Sequence, residues 1–363
     1  MPKTQYLENK KLRYKQLMKN HKISSLIMLI SLFWAFPSHA QSAAINNGLT
    51  WLSANQNTDG SWGTRLELIL LDTTETINAF KYSNNIGVDY TEGINWLSSR
   101  DATSTDELSR KIISLADAGA DTNTLISALI GYKKADGGWG LSVGFENDPL
   151  TTALSLLALK AANYTDQSVI STALGYLIST QNPDGGWGFY PSTCSGCNDG
   201  DDSNVYMTAM VTNTLLQYKA SYNLQSSINN GVSYLLTRQN TDGGFGAGSS
   251  AVYETSMVYQ VLVRTIYDPI AWAKAESYLL TTQSPDGSWS QNPYSTALSL
   301  RALYDAERIR SSQIQGIDLY KSVNNQLQLS TTYDAYNRMV IKVNINDANV
   351  IFDIQIKDSS GNI

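Results

Sequence analysis

The chain has 363 residues, with 26 basic and 32 acidic side chains, two histidines and a net charge of −6. That length bounds it to one large or two ordinary domains with a substantial core, and excludes a small disulfide-stapled scaffold. The acidic balance excludes nucleic acid as a partner, because backbone phosphate binding needs clustered Lys and Arg.

Residues 1–22 hold seven of the basic side chains against Glu8 alone, and an apolar run from Ile23 to Phe36 follows. That order is a secretory signal's, and Ser38-His39-Ala40 places small residues where a signal peptidase reads, so residues 1–40 are expected to leave and Gln41 to start the mature chain. At 14 residues the run falls short of the roughly 20 that span a bilayer, so export without a stable transmembrane segment is expected. The destination is the periplasm, the cell surface or the medium. Cleavage leaves 19 basic and 31 acidic side chains, a net charge of −12, and removes both His21 and His39. A chain without imidazole has no His-based triad, His metal ligand or His general base. Cys194 and Cys197 remain in a Cys-Ser-Gly-Cys loop, which in an exported protein is expected to close as a small disulfide.

From residue 43 onward the chain repeats itself. Gln56-Asn-Thr-Asp-Gly-Ser-Trp62 returns as Gln181 to Trp187, Gln239 to Phe245 and Gln283 to Trp289, with Lys133 to Trp139 as a variant. Trp51, Tyr176, Tyr234 and Tyr278 stand five positions before each Gln, and Ala128 before Lys133. The wide first gap hides a further unit, in which Trp96-Leu97-Ser98 echoes Trp51-Leu52-Ser53 and Ser104 with Glu107 reads as a capping box. Six units result. Each carries an amphipathic helix before the motif, such as Asp166 to Thr180, and a more apolar one after it, such as Thr151 to Ala162. Asp-Gly supplies an Asx turn followed by a residue free to take positive φ. Asp72, Asp148, Asn204 and Asn292 are expected to cap the second helices, each four residues before Thr76, Thr152, Thr208 and Thr296, with Pro149 and Pro293 at the first helical position. Six hairpins with a polar outer and an apolar inner helix bury both faces by closing into a ring. The expected fold is therefore an all-α (α/α)6 toroid over residues 41–310.

The Gln-x-x-Asp-Gly-Gly/Ser-Trp repeats resemble the QW motif of squalene-hopene and oxidosqualene cyclases and the repeats of protein prenyltransferase beta subunits, over residues 43–308. Thioester domains of complement-like proteins and cobalamin carriers look like the same toroid. The resemblance to prenyltransferases implies zinc held by Asp, Cys and His, which a mature chain without His does not provide. The thioester resemblance implies a Cys followed by Glu-Gln, and neither Cys194 nor Cys197 is so followed.

Resemblance to the class II cyclases implies an alkene-protonating acid in the middle of Asp-x-Asp-Asp-Thr, kept neutral by a dry cavity with aromatic faces beyond it. Asp199-Gly200-Asp201-Asp202 matches the first four letters, which makes Asp201, with Asp199 and Asp202, the candidate acid group. The family's first Asp stands four residues before the Thr of the inner helix, whereas Asp199 stands nine before Thr208. At the matching register stand Thr74, Leu150, Tyr206, Tyr253 and Tyr294, none of them an acid. Asp199, Asp201 and Ser203 also alternate as oxygen ligands, a calcium candidate in an exported loop. No other cofactor is expected.

If the ring closes, Tyr206, Tyr253, Tyr294, Glu75 and Glu254 are expected near one mouth, as a rim for a ligand with an apolar body and polar edges. The leading expectation is an exported recognition module for an apolar or amphipathic small molecule or a surface protein. The alternatives are a class II cyclase with Asp201 as general acid and a structural module presenting its tail. That tail, residues 311–363, is expected to be a linker and β-rich segment. Met339 to Ile345 and Val350 to Ile356 read as strands about a turn at Asn346 to Asn349, and are expected either to pack on the toroid or to open a β-sandwich that continues past Ile363.

Overall fold

The computed structural model describes residues 37–190, 202–265, 268–323, 326–329 and 338–345. Residues 1–36 of the expected signal sequence, the Cys194 and Cys197 pair, Asp199 and Asp201 lie outside the described residues. The chain divides into two compact units, Gln41–Ala306 and a second made of Met1–Ala40 with Glu307–Ile363.

Twelve helices among the described residues alternate in two layers. The outer ones are α1 (Pro37–Ala54), α3 (Val88–Ser99), α5 (Asn123–Gly131), α7 (Gln167–Ser179), α9 (Gln225–Leu236) and α11 (Pro269–Thr282). The inner ones are α2 (Ile69–Tyr82), α4 (Thr105–Asp117), α6 (Pro149–Ala161), α8 (Val205–Tyr218), α10 (Val252–Thr265) and α12 (Pro293–Gln313). Burial follows the apolar pattern of the sequence. Inner α8 buries twelve of its fourteen residues, while outer α7 buries five of thirteen along one stripe.

The inner helices close a ring through side chains. Ser114 Oγ donates to Asn78 Oδ1 at 2.9 Å between α4 and α2, and Ser109 meets Ser155 at 3.3 Å between α4 and α6. Tyr218 donates to the Leu156 carbonyl at 2.7 Å between α8 and α6, and Asn213 Nδ2 to the Met257 carbonyl at 3.1 Å between α8 and α10. Ser256 faces Ser299 at 3.0 Å between α10 and α12, and Arg301 of α12 reaches back to Glu75 of α2.

The repeated motif is the outer fastening. In the fourth hairpin, Gly186 N–H donates to Asp184 Oδ1 at 3.0 Å, and Gly185 takes φ +91°. A Cβ on Gly185 would lie 2.6 Å from the Asn230 carbonyl oxygen of the next outer helix, so glycine is required both by conformation and by approach. Gln181 Nε2 donates to Gly185 O at 2.8 Å and to Ser227 O of α9 at 3.0 Å. Gln56 Nε2 likewise donates to Gly60 O and Asp89 O, and Gln239 Nε2 to Gly243 O and Ala271 O. Gln283 Nε2 donates to Ala44 O at 2.9 Å, so the last hairpin grips the first as each other Gln grips its successor.

The aromatic residue ends each motif inside the protein. Trp62, Trp139, Trp187 and Trp289 are wholly buried, each donating Nε1–H to the carbonyl ten residues back at 2.7–2.8 Å. Their backbone N–H groups donate to a Thr on the inner helix: Thr73, Thr152, Thr208 and Thr296, with Thr255 serving Phe245.

These threonines fix the register and correct the first hairpin. Asp148, Asn204 and Asn292 do cap α6, α8 and α12, accepting from Thr151, Met207 and Ser295 N–H at 2.7–2.9 Å. Asp72 does not, because α2 already begins at Ile69 behind Leu68, and the motif pairs with Thr73 rather than Thr76. Ser104 caps α4, accepting from Glu107 N–H at 3.1 Å, while the Glu107 carboxylate takes Thr103 N–H at 2.6 Å rather than the Ser104 N–H of a full capping box.

In the second unit, β1 (Ile314–Val323) pairs antiparallel with β2 (Gln326–Leu329) and β3 (Arg338–Ile345), in the order β2-β1-β3. The partner expected for Met339 to Ile345, residues 350–356, lies outside the described residues.

Candidate active site

The inner helix N-termini bring the three candidate tyrosines together. Tyr206 and Tyr294 share a hydrogen bond at 3.0 Å, and the Tyr253 ring lies 5.9 Å from Tyr206 and 6.5 Å from Tyr294. Tyr206 and Tyr294 are half-buried and Tyr253 is exposed. Burial raises the pKa of all three hydroxyls. Glu254 lies close to where a side chain on Gly246 would project, burial pushes its carboxyl up, and its charge adds to the rise at Tyr253.

Glu75 belongs to a buried ion network. Its two oxygens take Arg110 Nη1 at 2.9 Å and Arg301 Nη1, and Arg110 Nε donates in turn to Asp106 Oδ1 at 2.8 Å. The neighbouring carboxylates and tyrosines raise Arg110, against the opposing and largest effect of burial. A carboxylate between two guanidiniums is a structural clamp and not a free acid.

The register drawn by the threonines also changes the acid search. Two residues after each cap stand Asp106, Leu150, Tyr206 and Tyr294. Tyr253 precedes Thr255 by the same two residues, and in the first hairpin Leu71, not Thr74, holds that place before Thr73. The second hairpin, which has no motif Trp, therefore places a carboxylic acid at the family's position. Sequence reasoning missed it although the Ser104 capping box located the helix start. Asp202 is exposed. Ser203 Oγ donates to Asp184 Oδ1 at 2.7 Å and accepts from Asn182, so its hydroxyl belongs to the fourth motif.

Beside Asp106, at the next inner N-terminus, lies Asp148. It lines a cleft of about 870 Å³ together with Leu141, Val143, Phe145, Leu150, Phe189 and Tyr190, and with Glu146 as a second carboxylate. Five of these large apolar side chains, Leu150 excepted, are exposed. The loop bearing the first three is closed by a bridge between Gly140 and Asn147, and Leu141 O accepts from Thr105 N–H at 2.8 Å at the start of α4. Burial pushes the Asp148 carboxyl up to about 6; its bonds from Thr151 oppose the shift and the charge of Asp106 adds to it. Asp106, engaged by Arg110, thus stands near a second acid whose carboxyl burial pushes up. Among the described residues no group of three His, Cys, Asp or Glu side chains is placed to hold a metal.

Comparison with known proteins agrees with this architecture. The family model for the prenyltransferase alpha-alpha toroid domain matches residues 92–259 and 250–335. The chain is 26% identical to a drimenyl diphosphate synthase of Streptomyces showdoensis over 203 residues, 51% of this chain and 36% of the relative. It thus spans about a third of the length of the curated relative it matches. Among solved structures, the type II terpene cyclase MstE from Scytonema is similar with a TM-score of 0.60 at 16% identity, covering 75% of this chain and 99% of that one. An ent-copalyl diphosphate synthase from Streptomyces platensis is similar with a TM-score of 0.52 at 17% identity, covering 66% and 51%. At those identities the structural likeness speaks for the fold. The chain belongs to the prenyltransferase alpha-alpha toroid domain family, and its fold is that of the class II terpene cyclases.

Proposed function

We propose that this toroid is a class II terpenoid cyclase whose general acid is Asp148. The carrying observation is a half-buried carboxyl, pushed up to about 6, that lines a cleft with apolar and aromatic walls. In the proposed step the carboxyl O–H proton adds to a terminal trisubstituted alkene, leaving a tertiary cation. The π electrons of the next double bond close a ring onto that cation. Loss of a proton from the product cation restores the acid, so the net reaction is an isomerisation. Phe145, Phe189 and Tyr190 offer π faces to the positive charge. The recognition reading recedes, because Tyr206 and Tyr294 bond to each other and Glu75 is clamped by two arginines.

Export through residues 1–40 and a tail that opens a β-sandwich belong to the same proposal. Incubation with farnesyl diphosphate and with squalene, followed by gas chromatography and mass spectrometry, tests the reaction. Cyclised product that disappears in Asp148→Asn and survives in Asp201→Asn is the expected result. Loss in Asp201→Asn alone would return the role to the acidic loop, and no product with either substrate would count against cyclisation.

A further inference from the structure

All six inner helices also line a separate hollow of about 250 Å³, which shares no lining residue with the Asp148 cleft. Its chemistry is that of neither a hydrocarbon chute nor an anion site. Asn213 is buried, and while its Nδ2 donates to Met257 O, its Oδ1 has no partner. Arg301 Nε is likewise buried and unbonded. Gln217 and Gln260 add two more amides on neighbouring helices. Buried polar atoms in folded proteins are almost all bonded, so a cluster of convergent exceptions points to a ligand that supplies both donors and acceptors. An isoprenoid would bury these groups unpaired.

The guanidiniums of the hollow already have carboxylate partners. Glu75 takes Arg110 and Arg301 and Asp305 takes Arg264, while Lys160 lies 5.4 Å over the Tyr218 ring. An anionic ligand would compete with built-in carboxylates for those guanidiniums. A neutral ligand meets paired guanidinium and carboxylate groups that serve hydroxyls, beside Leu154, Met210 and Met257 against which C–H faces pack. The volume lies just below the roughly 300 Å³ at which sites for drug-sized ligands begin, a scale suited to one ring.

From these groups we infer that the hollow is a binding site for a neutral, single-ring polyhydroxy compound, a monosaccharide or cyclitol, held by the amides of Asn213, Gln217 and Gln260. The inference does not rest on the cyclase reading, since the two sites share no residue. Isothermal titration calorimetry of the full chain tests it with D-glucose, N-acetyl-D-glucosamine and myo-inositol, against inorganic phosphate and farnesol. One-site saturable binding of at least one polyol is expected. It should weaken at least tenfold in Gln260→Met and in Asn213→Leu, while circular dichroism and thermal unfolding show both variants folded. Saturable binding of none of the three polyols, binding indifferent to both substitutions, or farnesol or phosphate binding that Gln260→Met abolishes would overturn the assignment. Failure of the cyclisation assay would leave it intact.

Discussion

Asp148 and Asp72 show how burial acts on single carboxyls in this fold. Both are pushed up to about 6, chiefly by burial, and Asp72 Oδ1 has no bonding partner. A folded-state value above the unfolded one means that the native chain binds the extra proton between about pH 4 and 6. Each group therefore lowers stability as pH rises through that window, by about 3 kcal/mol at most for a two-unit shift. Asp72→Asn is expected to raise stability at pH 8 by about 1–3 kcal/mol and to change little at pH 4, which urea unfolding at both pH values measures. The same shift makes the proposed acid competent when protonated, so cyclisation should fall as pH rises above about 6. Sequence letters alone disclosed neither effect. Asp148 was read correctly as a cap, because capping is a local preference, but its apolar walls come from two separate hairpins.

Helices and turns were the most legible scale, since propensity, capping and the Asp-Gly turn all act over a few residues. Asp166 caps α7 by accepting from Ser168 N–H at 2.9 Å, and α6 begins at Pro149, as the pattern implied. The first hairpin was misread for a physical reason: Leu68 carries no capping oxygen, and Thr73, Thr74 and Thr76 crowd one turn, so spacing did not single out the residue that serves Trp62. At this scale the motif residues make separable contributions. Trp187→Phe keeps an aromatic ring but removes the 2.8 Å donor to Leu177 O, leaving that carbonyl only the longer bond from Thr180 Oγ1 at 3.3 Å, and should cost about 1 kcal/mol. Gly185→Ala should cost at least about 1 kcal/mol, from positive φ and the clash with Asn230 O, while Ala at exposed Gly175 in α7 should be tolerated. Thermal unfolding of the three variants side by side separates these contributions.

For the whole molecule, closure is what the sequence disclosed least directly. Six units of opposite-faced helices imply a ring, yet the bonds that complete it join residues far apart in the chain, Glu75 to Arg301 and Gln283 to Ala44. Glu75→Ala leaves two guanidiniums facing each other and is expected to cost about 3–5 kcal/mol, the penalty of breaking a buried pair. A loss near zero in chemical denaturation would mean that the ring does not depend on its charged centre. The acid arrangement is likewise a property of the closed molecule, because α4 supplies Asp106 and the N-cap of α6 supplies Asp148. The most direct measurement is a carbon-13 NMR titration of the Asp148 carboxyl in the folded chain. A midpoint near 6 that falls in Asp106→Asn is the expected result, whereas an ordinary aspartate midpoint unmoved by that substitution would contradict the assignment of Asp148 as the proton donor.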